Sequence, residues 1–398
     1  MKVLAQYLCS VLLIVCFIAL TACTRAQPTL PKADTEIGIT ILDTSVGDAD
    51  WSRDGKTIAY AKRATDGYFD IWASKPDGGD KRCLTCGKNF SRRHRGSVTQ
   101  HPAGNYIVFT TENEDVRGQE AEARAHPGIG MNTNLWAVRS DGSQAWKLTD
   151  LPTDYRAPRG MIHPQFSRDG RRLVWTEALG KYSLARELAW GEWTLALADF
   201  QVVNGAPVLK NIRRFQPGEQ HAFYETHDWL PDDGAILFSG NLKRGQPVNA
   251  DDIYEYAIAT ERLTQLTNTF EDWDEHAHYS PDGKMIAWMS GADLHVEFPE
   301  VRRLEWQKYV KTELWLMDRD GSNQRRVTFF NKPGHRDYEW FQKNVYKTDR
   351  VVVSDSAFSP DGKKLVVTLA YEGPASAQYG NVRSVLVVVD LEKRASDH

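Results

Sequence analysis

Apolar and polar positions alternate along most of this chain, and turn residues interrupt the alternation at near-regular intervals. The stretch from His276 to Thr328 shows the unit most clearly. Tyr279 and Ser280 close one strand. Pro281-Asp282-Gly283 then makes a turn, with proline pre-set at its first corner and glycine free to take positive φ. Lys284 to Met289 alternates into a second strand, and Glu313 to Met317 into a third that ends on Asp318-Arg319-Asp320-Gly321. Gln324 to Thr328 makes a fourth. An Asp-Gly turn between alternating runs signals a hairpin. One four-strand unit cannot bury both of its faces alone, so the unit must recur.

It recurs six times. The first turn appears as SRDGKTIAY from Ser52, HPAGNYIVF from His101, SRDGRRLVW from Ser167, LPDDGAILF from Leu230, SPDGKMIAW from Ser280 and SPDGKKLVV from Ser359. Third strands begin at Asp70, Asn134, Glu192, Asp252, Glu313 and Ser384. They carry Trp72, Trp136, Trp193, Tyr254, Trp315 and, in the last copy, Leu386. Fourth strands end on Thr85, Thr149, Thr267 and Thr328, an ending that copy three lacks. Four-strand sheets at this spacing predict an all-β, six-bladed β-propeller, in which radial blades bury each other's faces.

These turns and tryptophan strands resemble the TolB-like (WD40-like, Pro-Asp-Gly) propeller repeat, related to the propellers of dipeptidyl-peptidase-type enzymes. The resemblance spans residues 37 to 392. It implies the fold and leaves the activity open, since one fold hosts many functions. TolB carries a further α/β domain ahead of its propeller. Here about fifteen residues separate Cys23 from the first strand, so the resemblance does not imply a Tol-Pal role.

Glu36 to Asp43 reads as a lone strand before the first copy, while the last copy shows only three obvious strands. A propeller must close its ring, so the N-terminal strand is expected to pair into the last blade. The alternative is that Leu391 onward completes that blade and residues 36–43 cap an edge.

Ahead of the propeller, Met1 to Ala22 has one positive charge, Lys2, and the apolar run VLLIVCFIAL, a secretory signal. Leu20-Thr21-Ala22-Cys23 resembles the bacterial lipobox. That resemblance implies that Cys23 is lipid-modified and, with Thr24 behind it, that the mature chain sits at the periplasmic face of the outer membrane. The expected organisation is thus a lipoprotein signal peptide (1–22), a tether (23–35), the propeller (36–392) and a tail (393–398). Net charge is −4 for the precursor and −5 after loss of Lys2 (48 Lys and Arg against 53 Asp and Glu). Such mild acidity predicts no nucleic-acid partner. Cys83 and Cys86 fall in the fourth strand of blade one, where a strand-to-helix redox motif does not fit, and no second CxxC completes a zinc site. A local disulfide or two packed thiols is expected.

Inserts after the second strands (112–132, 177–191, 240–250, 290–312 and 370–383) and the link 331–350 all emerge on one face of a propeller. The other face keeps tight turns. Function sits on loops held by a rigid scaffold. Counting back four from each first turn gives Asp48, Ser97, His163, His227, His276 and Asp355, close to the axis on the loop-rich face. In blade four the count depends on where an extra residue in Asp232-Asp233 is placed. His278 lies two residues beyond His276. Asp48, His163, His227, His276, His278 and Asp355 form the candidate ligand site. His163, His227 and His276 could hold a divalent metal (manganese, zinc or iron), with Asp48, Asp355 or Glu275 completing the shell. Alternatively, the imidazoles bridge blades around a polar channel without metal.

The chain has no GxSxG, Walker or Rossmann pattern and no room for the hydrolase domain that accompanies peptidase propellers. His276-Ala277-His278 resembles the histidine-bearing strand of oligogalacturonate lyases, propellers that use a divalent metal beside the axis. That implies Arg302, Arg303 or Arg336 as contacts for a uronate carboxylate. The leading expectation is a binding or scaffold module that takes a protein or glycan partner through its loop-rich face. The rival is a metal-dependent lyase or hydrolase acting on acidic saccharides.

Overall fold

The computed structural model describes residues 37–394, except 88–89, 117, 155, 182–184, 295–308 and 377–379. The signal, the tether, Cys23, Arg302 and Arg303 fall outside the described residues. Six antiparallel four-stranded sheets follow one another along the chain. After β1 (Ile39–Thr44), blade one comprises β2 (Val46–Trp51), β3 (Ile58–Arg63), β4 (Phe69–Ser74) and β5 (Arg82–Cys83). Blade two comprises β6 (Arg95–Gln100), β7 (Tyr106–Glu112), β8 (Thr133–Arg139) and β9 (Ala145–Lys147). Blade three holds β10 (Arg159–Phe166), β11 (Arg172–Lys181), β12 (Glu192–Val203) and β13 (Ala206–Phe215). Blade four holds β14 (Tyr224–Trp229), β15 (Ala235–Gly240), β16 (Asp252–Ala257) and β17 (Arg262–Gln265). Blade five runs through β18 (Asp274–Tyr279), β19 (Met285–Ser290), β20 (Glu313–Asp318) and β21 (Arg325–Arg326). Blade six has β22 (Val351–Phe358), β23 (Lys364–Ser376) and β24 (Gly380–Asp390), with β1 as its outermost strand. The six-bladed propeller is therefore closed by the N-terminal strand, Ile39 opposite Val389 and Ile41 opposite Val387.

Repeated side-chain chemistry explains why the repeats are legible. In four blades the turn serine (Ser52, Ser167, Ser280, Ser359) donates its hydroxyl to the aspartate two residues on. The same oxygen accepts the backbone N–H five residues on. At the outer edge, Thr85, Thr149, Thr267 and Thr328 accept the backbone N–H of Ile71, Leu135, Ile253 and Leu314, each at 2.9 Å. Each threonine hydroxyl then donates to a side chain in the first two positions of the third strand: Asp70, Asn134, Asp252 or Glu313. These short side chains satisfy backbone groups that no ladder partner reaches.

Six apolar clusters hold the ring, one at each blade junction. Trp175, Trp229 and Trp288 are fully buried in them, and truncating any one should cost about 3–5 kcal/mol. Cys83 and Cys86 form a disulfide. Past blade six, α2 (Leu391–Arg394) carries a buried Arg394. Its guanidinium donates twice at 2.7 Å to Asp337 of α1 (Arg336–Asn344) and reaches the Ile37 carbonyl. Residues 393 and 394, expected in the tail, are instead part of the closure, because this ion pair ties both ends of the propeller to the link before blade six. Among the described residues no helix is long and apolar enough to cross a membrane.

Candidate functional site

Every innermost strand is interrupted by a register shift at the same level: between Val46 and Ala49, Gly96 and Thr99, Ile162 and Gln165, Thr226 and Asp228, Glu275 and His278, and Val353 and Ser356. Such bulges re-aim a side chain away from the sheet. Ser97, His163 and His276 sit on them with φ of 45°, 49° and 52°, a left-handed backbone that non-glycine residues seldom adopt. The bulge, which the count could not see, is what turns these positions toward the axis.

The count itself needs one adjustment. In blade four the turn bond runs from the N–H of Asp233 to the Leu230 carbonyl, matching Gly283 to Ser280 in blade five. Leu230 is therefore the equivalent of Ser280, and counting back four reaches Thr226, which stays paired with Phe238, while His227 is the residue left unpaired by the shift. Thr226 donates to the His163 carbonyl at 2.6 Å. His227 lies one residue along, yet its ring still joins the site.

The ring nitrogens of His163, His227 and His276 and an oxygen of Glu225 lie within 4.8 Å of one another, all buried. His163 Nδ1 is 2.9 Å from Glu225 Oε1, and His163 Nε2 is 3.7 Å from Asp48 Oδ2. His276 Nδ1 is 3.7 Å from Glu225 and 3.8 Å from Asp355, whose Oδ1 is 3.3 Å from His278 Nε2. All six predicted side chains are thus brought together, and Glu225 joins them. Glu225 was missed because only one position per blade was counted, although it stands two residues before His227.

Burial opposes charge on His163, but Glu225, Asp48 and Asp355 together push it up to about 10, so it is an imidazolium at neutral pH. Glu225 and Asp355, despite their own burial, are held below the usual carboxylate range by the histidines. Burial drives His276 down to about 4 and His227 well below its ordinary value, and the neighbouring imidazoles add to the effect. Burial lifts Asp48 to about 6. Asp251 and Glu275, buried side by side, are pushed well up, Asp251 by desolvation, Glu275 and Glu225, and Glu275 by desolvation and Glu225.

Three buried ring nitrogens, His163 Nε2, His227 Nδ1 and His276 Nδ1, have no hydrogen-bond partner. His227 Nε2 accepts the backbone N–H of His276 at 3.2 Å and lies 2.9 Å from Ser239 Oγ. To ligate through Nδ1, His227 would move its ring proton to Nε2, where Ser239 accepts it and the His276 N–H gives up its bond to that nitrogen, an outer-sphere arrangement. The 3.7–3.8 Å gaps exceed a hydrogen bond yet suit two ligands at about 2.0–2.2 Å from one ion. The residues present therefore fit a divalent metal.

Above this floor a cavity of about 320 Å³ opens on the loop-rich face. Loop 126–131, from the blade-two insert, wedges over blades one to three. A Cβ on Gly47 or Gly96 would come within 2.9 or 2.8 Å of Pro127. Trp190, Trp193, Phe223 and Trp273 line the opposite wall. Arg336 is not part of the lining.

No family model matches the chain. A dipeptidyl-peptidase 5 from Porphyromonas endodontalis is 24% identical over 262 residues, covering 49% of this chain and 36% of that protein. A second, from Porphyromonas gingivalis, is matched over 19% of its length, so the match spans about a third or less of these curated relatives. Among solved structures, TolB from Acinetobacter baumannii aligns over 83% of this chain and 63% of its own at 15% identity and a TM-score of 0.49. An oligogalacturonate lyase in complex with manganese aligns over 89% and 93% at 13% identity and a TM-score of 0.47. The six-bladed propeller expected from the repeats is the one the sheets adopt.

Proposed function

We propose that this is an exported binding propeller, lipid-anchored through Cys23 at the periplasmic face of the outer membrane, whose axial site holds a divalent cation beneath a ligand cavity. The carrying observation is the convergence of three partnerless imidazole nitrogens with Glu225 and Asp355 under that cavity. His276, His227, Glu225 and Asp355 supply deprotonated donors, and His163 would exchange its proton for the metal. Imidazole with carboxylate suits manganese, zinc or iron. When bound, the cation would polarise an oxygen of whatever enters. The chain's own residues orient and dehydrate that group: the tryptophan wall excludes water, and the Pro127 loop fixes the entrance. Val382, 36% exposed, lines the cavity and offers an apolar contact for a protein or glycan.

Metal analysis of purified protein tests this. One equivalent of manganese, zinc or iron, lost in both His163→Ala and His276→Ala, is the expected result. A folded, metal-free wild type that takes up none of the three on titration would reduce the imidazoles to channel lining. The same floor would serve a lyase or hydrolase on acidic saccharides, which turnover of such a saccharide by the metal-loaded protein would reveal.

A further inference from the structure

One residue before the counted positions, the inner strands bring a second ring to the axis: Gly47, Gly96, Ile162, Glu225, Glu275 and Ser354. A residue two earlier shares the same face of its strand. Only blades four and five combine an aromatic ring there with a carboxylate, Phe223 with Glu225 and Trp273 with Glu275, and all four side chains line the cavity. We propose that Glu275, backed by Asp251 and bordered by Trp190, Phe223 and Trp273, is a subsite for the primary ammonium group of a small organic ligand. This rests on reading the cavity as a ligand pocket but not on the metal.

Three observations carry it. First, acceptors are in surplus. Glu275 is 4% exposed, and its Oε1 has no hydrogen-bond partner among the described residues. Asp251, fully buried, leaves both carboxyl oxygens in the same condition. Trp273 and Asp251 bear on Glu275, yet a carboxylate offers about four acceptor sites, so capacity remains for N–H donors from a ligand. Neither acid belongs to the group of His163, Glu225, His227 and His276 that converges within 4.8 Å. Second, the charge balance favours a cation. Asp48, Glu225 and Glu275 line the cavity against one guanidinium, Arg63, which stands on blade one across the ring from blade four. Desolvation and nearby carboxylates push Asp251 and Glu275 up, and an ammonium countercharge offsets both causes. Third, the border is aromatic. Trp190 packs edge-on to Phe223 at 5.2 Å and tilted to Trp273 at 5.0 Å. Aromatic faces attract an ammonium and cover the apolar body that carries it.

Calorimetric titration of the full chain, stripped of metal by a chelator, tests the proposal with three probes at neutral pH. Benzylamine is a primary ammonium there, benzyl alcohol has its shape without the charge, and benzyltrimethylammonium has the charge without N–H groups. Benzylamine should bind saturably and at least tenfold more tightly than either comparator, equivalent to about 1.4 kcal/mol. Glu275→Gln, close in shape to the native side chain, should erase that margin and leave the affinity for benzyl alcohol unchanged. Equal binding of benzylamine and either comparator by wild type, or a folded Glu275→Gln protein that binds benzylamine as wild type does, overturns the subsite and leaves the pocket standing. No binding of any probe at millimolar concentration overturns the pocket as well. Metal uptake, measured separately, has no bearing on either result, so failure of the cation site is told apart from failure of this subsite.

Discussion

On the side of blades six, one and two, the bulge residues are Asp355, Asp48 and Ser97, and their polar groups are spent on the scaffold. Asp355 accepts the N–H of Ala49 at 3.1 Å, and Asp48 accepts the N–H of Ser97 at 3.0 Å, each stitching one blade to the next. On the side of blades three to five stand His163, Thr226 with His227, and His276, and there three ring nitrogens have no hydrogen-bond partner. The backbone device is common to both halves, so the difference lies in side-chain chemistry. A buried polar group without a partner is costly, and a ring that keeps three of them is poised for something absent from the chain itself. The carboxylate half is scaffold first and ligand second, and the imidazole half is the reverse.

Breaking the stitched half should cost the most. Asp48→Ala leaves the Ser97 N–H buried without its acceptor, and urea unfolding should show a loss of about 2–3 kcal/mol. An unchanged midpoint would mean that the stitch is dispensable and the two halves are not different in kind. A second, smaller effect sharpens what keeps an imidazole neutral here. His94 and His126 are depressed to about 3 and 4 in the fold, while an unfolded histidine titrates near 6.5. Below about 6.5 the unfolded chain binds protons that the fold refuses, so these two groups lower stability as pH drops toward 4. A His94→Phe variant should flatten that decline in denaturant midpoints measured from pH 7 to 4.5. The smallest effect has the opposite sign. His276 holds a left-handed backbone at φ 52°, so metal-free His276→Gly should gain about 0.5–1 kcal/mol while losing the cation. A loss of stability in that variant would show the ring to be structural after all.

What could be read from the chain is what repeats. The Ser-x-Asp-Gly turns and the threonine at the fourth strand are local, self-satisfying motifs, so they recur as text. Copy three lacked the threonine, and its fourth strand, β13, went unmarked. There Glu192, in the place of Asp70, bonds to Lys181 and Gln216 instead. Six axial positions followed from counting, but Glu225, Asp251 and the Pro127 wedge did not. They depend on a bulge and on a loop crossing three blades, and neither leaves a period in the sequence. Gly47, Gly96 and Gly160, all facing that loop, are the trace it does leave.

The pairing of Ile39 with Val389 joins positions 350 apart (389 − 39), which makes the sixth sheet a seam sewn from the two extremes of the described chain. Contacts so distant form late, so a nascent molecule carries five finished sheets with an open rim until the final strands arrive. That rim is a template for pairing with other chains. Along the chain, β1 of this seam is the described strand that follows Cys23 first. Tension from a lipid anchor at that cysteine would enter the molecule at its last-made joint, peeling the outermost strand before it loads any other sheet.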